Sequence, residues 1–337
     1  MRGRVVISWA VMVVLSLSAC VWAGEPALAP ERVRAAVAKA IPLIEKSTAE
    51  YLDQRNCFSC HHQAVPVLAL SLSRDRGFSV DDENIREQVE LTLSDLESAS
   101  ESYRKGNGQG GGVTRAGYAL WTISNGGGKP TETTDAVVEF LLKNDADRDH
   151  WRTSSERPPS EASPFTTSFV ALRALRSFGK AKQRERIDQR IAKAREWLLQ
   201  TPANDMEDRV FRLWGLKITD ASDAAVRDAA DQLLRTQRDD GGWAQLSDGS
   251  SDAYATGTAL VALHEAAGVE TSGRAYQRGL AFLIKTQRDD GSWHVVSRSH
   301  PFQTYFESGF PHGKDQFISI AASSWATAAL VLDCPKK

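Results

Sequence analysis

The residues of this chain with the greatest chemical capacity are Cys57-Phe58-Ser59-Cys60-His61. Two thiols three positions apart, followed directly by an imidazole, form the attachment pattern of a c-type haem. The spacing has a physical reason. Thiols about one helical turn apart can reach the two vinyl groups of the macrocycle as thioethers, while the next residue reaches the iron from one face. His61 is then the proximal iron ligand. In an oxidising compartment Cys57 and Cys60 could instead form a disulfide, or with His61 and a further ligand hold structural zinc. The motif alone leaves all three chemistries open. His62 reads equally as a second ligand or as a surface residue at a helix start.

A second stretch carries reactive side chains. Between Trp293 and the last apolar segment the chain includes His300, Tyr305, Glu307, His312, Lys314 and Asp315 among aromatic residues. A loop of this length inside a compact repeat is more often functional than connective. Asp252, Tyr305, Glu307, His312 and Asp315 are the pocket candidates, with His312 the candidate ligand on the far side of the iron. The alternative is a lid over a barrel mouth in which His300 and His312 are merely hydrogen-bonded. Once an export signal is removed, Met206 is the one methionine left, so the far side is expected to hold a histidine, a water or an open position. The run Gly106 to Gly112 lacks the lysine and preceding strand of a phosphate loop and reads as a turn, with Arg115 after it a candidate to face a cavity. The segment Asp145 to Ser163 reads as a solvated charged loop. His264 and His294 read as structural, and Cys334 as a spare thiol or a disulfide partner.

Composition bounds the partners. The 337 residues carry 41 basic and 43 acidic side chains, a net charge of −2, which supplies no field for gathering nucleic acid or anionic membrane. Four cysteines are too few for a disulfide scaffold of this size. Arg2 and Arg4 precede the apolar run Val5 to Ala19, shorter than the ~20 residues a spanning helix needs, and Val21-Trp22-Ala23 gives a small-x-small cleavage site. Residues 1–23 are therefore expected to be a secretory signal, and 24–337 a single mature domain in the periplasm or outside the cell. Leu17-Ser18-Ala19-Cys20 is also close to a lipobox, and cleavage before Cys20 would leave a lipid anchor. No later run has transmembrane length in the mature chain. Export places the cysteines where c-type haem is attached.

The elements that must position these residues are helices. Leu233 to Trp243 and Leu283 to Trp293 are copies at an offset of 50 residues, each an amphipathic helix ending at an Asp-Asp-Gly turn. Each is followed by a helix that is small or apolar nearly all round, from Ala255 and from Ala321. The same alternation, weaker, gives charged helices at about Pro30 to Gln54, Asp82 to Tyr103, Glu132 to Lys143 and Gln183 to Leu199. Their apolar partners are His61 to Arg76, Thr114 to Ser124, Phe165 to Phe178 and Glu207 to Lys217. Six hairpins with one solvated and one buried helix predict an all-α fold, an α6/α6 toroid whose closure leaves no exposed end. Closure makes hairpin six the neighbour of hairpin one and brings His312 and Asp315 to the end that carries Cys57, Cys60 and His61.

From Arg278 through Gln287, Gly291 and Trp293 the chain resembles the QW repeat of squalene-hopene cyclases and related terpenoid cyclases, whose α/α toroid is shared by protein prenyltransferase β subunits. The resemblance is specific over about Asp223 to Leu332 and architectural before it. It implies that Gln237, Trp243, Gln287 and Trp293 tie neighbouring hairpins together. It does not carry over the chemistry. The Asp-x-Asp-Asp acid of the cyclases is missing, and Ser250-Ser251-Asp252 leaves one aspartate at the comparable helix start; the prenyltransferase Asp-x-Cys zinc pair is missing as well. The leading expectation is an exported toroid with haem c on Cys57, Cys60 and His61, acting in electron transfer with a redox partner or in redox chemistry on a small molecule. The alternative is a cyclase- or prenyltransferase-like enzyme, or a binder of a small hydrophobic molecule, without haem. There Asp252, Tyr305 and Glu307 line the pocket and the cysteines hold zinc or a disulfide. A rigid binding scaffold without catalysis is the third class.

Overall fold

The computed structural model describes residues 28–301 and 304–336. The expected signal at residues 1–23, with Cys20, lies outside the described residues.

Thirteen α-helices are present among them, and they pair as the repeat predicts. The outer members are α1 (Pro30–Gln54), α3 (Asp82–Ser98) with its short continuation α4 (Ser100–Lys105), α6 (Glu132–Lys143), α8 (Arg184–Gln200), α10 (Asp223–Leu234) and α12 (Arg274–Thr286). The inner members are α2 (Val65–Asp75), α5 (Gly112–Asn125), α7 (Pro164–Phe178), α9 (Met206–Ile218), α11 (Ala253–Ala267) and α13 (Gln316–Leu332). The expected single helix from Asp82 to Tyr103 is broken at Ala99, which leaves the αR geometry.

Local chemistry sets the helix starts. Ser163, Asp205 and Asp252 each accept from backbone N–H groups in the first turn of α7, α9 and α11, which satisfies donors that a helix otherwise leaves orphaned. The inner helices are buried nearly all round: every described residue of α13 except Phe317 is buried. A helix apolar on all faces is stable only inside such a ring.

The QW residues do what the resemblance implies. Trp243 and Trp293 donate Nε1–H to the carbonyls of Leu233 and Leu283 at 3.0 and 2.8 Å, stapling the turn to its own helix. Gln237 Nε2 donates to Ala275 O on α12 at 2.8 Å. Gln287 makes the same bond to Ala36 O on α1 at 2.9 Å. The bond that joins hairpin five to six thus also joins six to one, and the ring closes. Gln277 adds a second tie at this seam, accepting from Leu28 N–H at 3.0 Å and donating to Asp333 at 3.2 Å. Trp151 is a third staple, donating to Leu141 O at 2.9 Å.

The middle of the ring is filled. Trp121, Trp214 and Trp325 come from the second, fourth and sixth hairpins, and their ring centroids lie 5.7, 5.6 and 6.1 Å apart. Side chains from alternate members of a six-membered ring can touch only across its axis. Phe169 and Phe211 pack on Trp214 at 5.0 and 5.5 Å. At this level the lumen is an aromatic plug, and open space lies above it, at the end where the inner helices begin.

Candidate functional site

At that end a cavity of about 500 Å³ is lined by Cys57, Cys60 and His61 together with residues from three other places in the sequence. Gly110, Gly111 and Arg115 come from the start of α5, Arg157, Pro158 and Glu161 from the loop before α7, and a strap that includes residues 297–301 and 304–306, with the start of α13, supplies the rest. The volume falls within the range of small-molecule and cofactor sites.

The motif enters the cavity through an unusual turn. Residues Cys60–Ala64 form one turn of π-helix before α2 continues. This wider turn is often found where a helix must re-aim side chains at a site. His61 faces the cavity, while His62 points away into the seam, stacked on Tyr51 at 4.6 Å and edge-on to Phe317 at 5.7 Å. Burial holds the His62 imidazole neutral, down to about 3, and neither of its nitrogens has a partner among the described residues. Tyr51 hydroxyl donates to Cys57 O at 3.2 Å and lies 3.8 Å from its Sγ, fixing the first cysteine.

The cavity holds the residue types that a c-type haem would need. Cys57 and Cys60 are free cysteines, and both line the same cavity as His61. Burial pushes the Cys60 thiol up and holds His61 below its ordinary value, so one remains S–H and the other a neutral imidazole with a free lone pair. Its Nε2 makes only a 3.5 Å contact, to Ser160 Oγ. Phe58, Phe306, Phe317 and Ile318 give one part of the wall apolar character, while Arg115, Arg157 and Lys314 give another part a cationic one. Arg115 is held by Asp95, with both carboxylate oxygens at 2.6 and 2.8 Å, and Arg157 pairs with Glu161. Among the described residues no group of three or more His, Cys, Asp or Glu side chains is disposed to hold a metal ion; a zinc ion at the motif would need its ligands rearranged.

The pocket candidates divide. Tyr305 and Asp315 line the cavity. Asp252 does not: it is the N-cap of α11, accepting from Ala255 N–H at 2.9 Å and from Gln245 Nε2 at 3.1 Å. Glu307 accepts from Tyr305 but lies along a separate groove beside α1. His312 is also displaced. It sits at φ 87°, with Nε2 2.9 Å from Ser292 Oγ and its ring 4.7 Å from that of His294, outside the cavity lining. The seam brings hairpin six to the motif as expected, but the strap carries His300 to the cavity where His312 was expected. His294 pairs with Asp315 at 2.7 Å. Cys334 is a buried free thiol beside the seam.

Two features of the molecule are not apparent from the sequence. The loop before α7 was expected to be a solvated charged loop, yet its second half walls the cavity; the paired charges of Arg157 and Glu161 four apart were the available signal. Glu207, the second residue of α9, is buried and accepts from Thr166 Oγ1 at 2.9 Å and Tyr254 OH at 3.2 Å. Burial, supported by the neighbouring Asp205 and Asp208, raises its carboxyl to about 8. Nothing in the sequence marks it, because its partners lie on α7 and α11.

The family model for the squalene-hopene cyclase C-terminal domain matches residues 210–327, from within α9 to within α13. Among solved structures, the chain is similar to the type II terpene cyclase MstE from Scytonema in its apo form, with 12% identity, a TM-score of 0.58, and coverage of 92% of this chain and 100% of that one. It is similar also to a possible member of the GH105 family from Salmonella enterica, at 12% identity and a TM-score of 0.55, covering 95% and 98% of the two chains. An unsaturated glucuronyl hydrolase from Streptococcus agalactiae gives 12% and 0.55, over 93% and 94%. No curated protein matches the chain. At such identities the likeness is one of fold, and the fold is a terpene-cyclase-like α/α toroid.

Proposed function

We propose that this toroid binds a hydrophobic small molecule in the cavity at its mouth, and that the molecule is a haem joined covalently to Cys57 and Cys60 with His61 as its axial ligand. The observation that carries the reading is that two free cysteines and His61, whose Nε2 is weakly held, line one cavity. A haem held there supplies one-electron chemistry, for exchange with a redox partner or for a reaction of a small molecule beside it. The chain's own residues would do the rest. Tyr51 would fix Cys57, Phe306 and Phe317 would give an apolar wall, and Arg115 and Arg157 would offer donors to anionic groups of the ligand, their own charges being balanced by Asp95 and Glu161. The reading requires export, consistent with the amino-terminal sequence.

A second reading is favoured by the repeat family over 210–327. A variant of MstE was solved with geranylgeranyl dihydroxybenzoate. By analogy, this cavity would take a prenyl-type ligand without haem, at the mouth and not along the axis that the three tryptophans fill. The cavity holds no Asp-x-Asp-Asp acid, so binding is the part of the analogy with most support.

The two readings separate in one experiment. The full chain, exported in a host with c-type maturation, should carry haem that survives denaturing electrophoresis, and Cys57→Ser with Cys60→Ser should abolish the stain. Wild-type protein without a Soret band would sink the haem reading; saturable binding of a geranylgeranyl phenol by that same protein would then establish the second.

A further inference from the structure

We propose that His300 is the second axial ligand, on the face of the haem opposite His61. The inference rests on the haem reading above and concerns which of this chain's side chains completes the site.

The seven histidines of the chain sort by what they touch. His150 bonds Asp149 and stacks on Trp197. His264 bonds Val269 O, His294 bonds Asp315, and His312 bonds Ser292. His62 is sealed between Tyr51 and Phe317. Two remain, His61 and His300, and these are the two that line the cavity. His300 is exposed, lines the cavity, and makes no hydrogen bond among the described residues.

Contacts tie the backbone beside His300 to the loop that reaches His61. Ser299 Oγ donates to Pro158 O at 2.9 Å. Two residues further along that loop, Ser160 Oγ lies 3.5 Å from His61 Nε2. The strap bearing His300 is thus tied to the segment that faces the ligating nitrogen of His61. Chemistry favours His300 over its neighbours. Lys314 also lines the cavity, but an ammonium has no lone pair to give. Tyr305 already donates its hydroxyl to Glu307. Met206, the remaining soft ligand, is buried at the start of α9 and does not line the cavity. A neutral imidazole is a ready ligand for iron.

The test uses the full exported chain with haem attached, read by absorption and electron paramagnetic resonance. Wild type should be low-spin and six-coordinate in both oxidation states. His300→Ala should retain haem at full stoichiometry on a denaturing gel and become high-spin, and added imidazole should restore the low-spin spectrum. His300→Met should stay low-spin with a shifted spectrum. His312→Ala, outside the cavity lining, should leave the wild-type spectrum unchanged. A high-spin wild type, or a His300→Ala protein that keeps haem with an unaltered low-spin spectrum, overturns the assignment while leaving haem attachment intact. A wild type without haem overturns both, and the gel distinguishes that outcome from the others.

Discussion

Replacing Glu207 by Gln is expected to make the protein more stable in mildly alkaline solution, by roughly 3–5 kcal/mol near pH 8. The carboxyl is buried and raised from its ordinary 4.5 to about 8. An unfolded chain releases this proton above about pH 4.5, whereas the folded one keeps it until about 8. The stability associated with the neutral acid is therefore complete below 4.5 and is lost as the pH rises through 8. A glutamine keeps the acceptor for Thr166 Oγ1 and has no proton to lose. The difference in unfolding free energy between Glu207→Gln and wild type should accordingly be small at pH 4.5 and grow steadily to pH 8. Other buried groups, such as the neutral His62, titrate in both proteins and cancel in the difference. Urea unfolding across this range checks it, and a difference that does not vary with pH would remove the protonated carboxyl from the description.

The second large effect is at the seam. Gly291 has φ +93°, and a Cβ there would lie 2.4 Å from the backbone carbonyl of Lys39 on α1. Gly291→Ala must strain the left-handed residue, at about 1–2 kcal/mol, and also push α1 away, stretching the Gln287 to Ala36 bond, so a total loss of about 3 kcal/mol is expected. Gly241 is its counterpart between hairpins five and six, with φ +87° and a Cβ position 2.5 Å from Arg278 O. Gly127 has φ +80° and nothing within 4 Å, and is the control for backbone strain alone. In a ring closed in solution, Gly291→Ala and Gly241→Ala should lose similar stability, both more than Gly127→Ala. In a ring open at the seam, only Gly241→Ala would exceed the control, and closure would be refuted.

These two positions show how unevenly the structure could be read from the chain. Gly291 and Gln287 stand in a repeat that is visible by eye, because the staple is local: a tryptophan reaches back ten residues to its own helix, and the spacing is written into the sequence. Trp151 has the same ten-residue reach to Leu141. It went unnoticed because its turn lacks the Gln and the Asp-Asp-Gly; Arg190 covers the ring face at 3.9 Å and bonds the turn's carbonyls instead. The inner helices could be found because burial on all sides leaves a run of small and apolar residues. The site was only half legible. Cys57, Cys60 and His61 announce themselves through spacing, but what surrounds them comes from segments about 50, 100 and 240 residues away, and no local pattern says which residue of a long strap faces inward. Hence His312 was favoured over His300. Asp252 attracted attention as a lone acid at a helix start, which is also where a helix wants a cap. Glu207, whose environment is the more acid-like, carried no such mark. The aromatic plug escaped for a related reason: Trp121, Trp214 and Trp325 are ordinary apolar positions on their helices, and only the ring brings them together.

The seam and the cavity occupy the same place. One wall of the cavity belongs to hairpin one and another to hairpin six, and the joint between them is held by hydrogen bonds from Gln287, Gln277, Ser47 and Arg76 and by the packing of α13 on α1 and α2. A molecule seated there spans the joint like a clasp, so occupancy and closure are linked equilibria, and a noncovalent occupant at 100 times its dissociation constant would add about 2.7 kcal/mol to closure. An occupant held covalently at Cys57 and Cys60 would stay on the hairpin-one side, so its contacts with hairpin six would favour closure without depending on its free concentration.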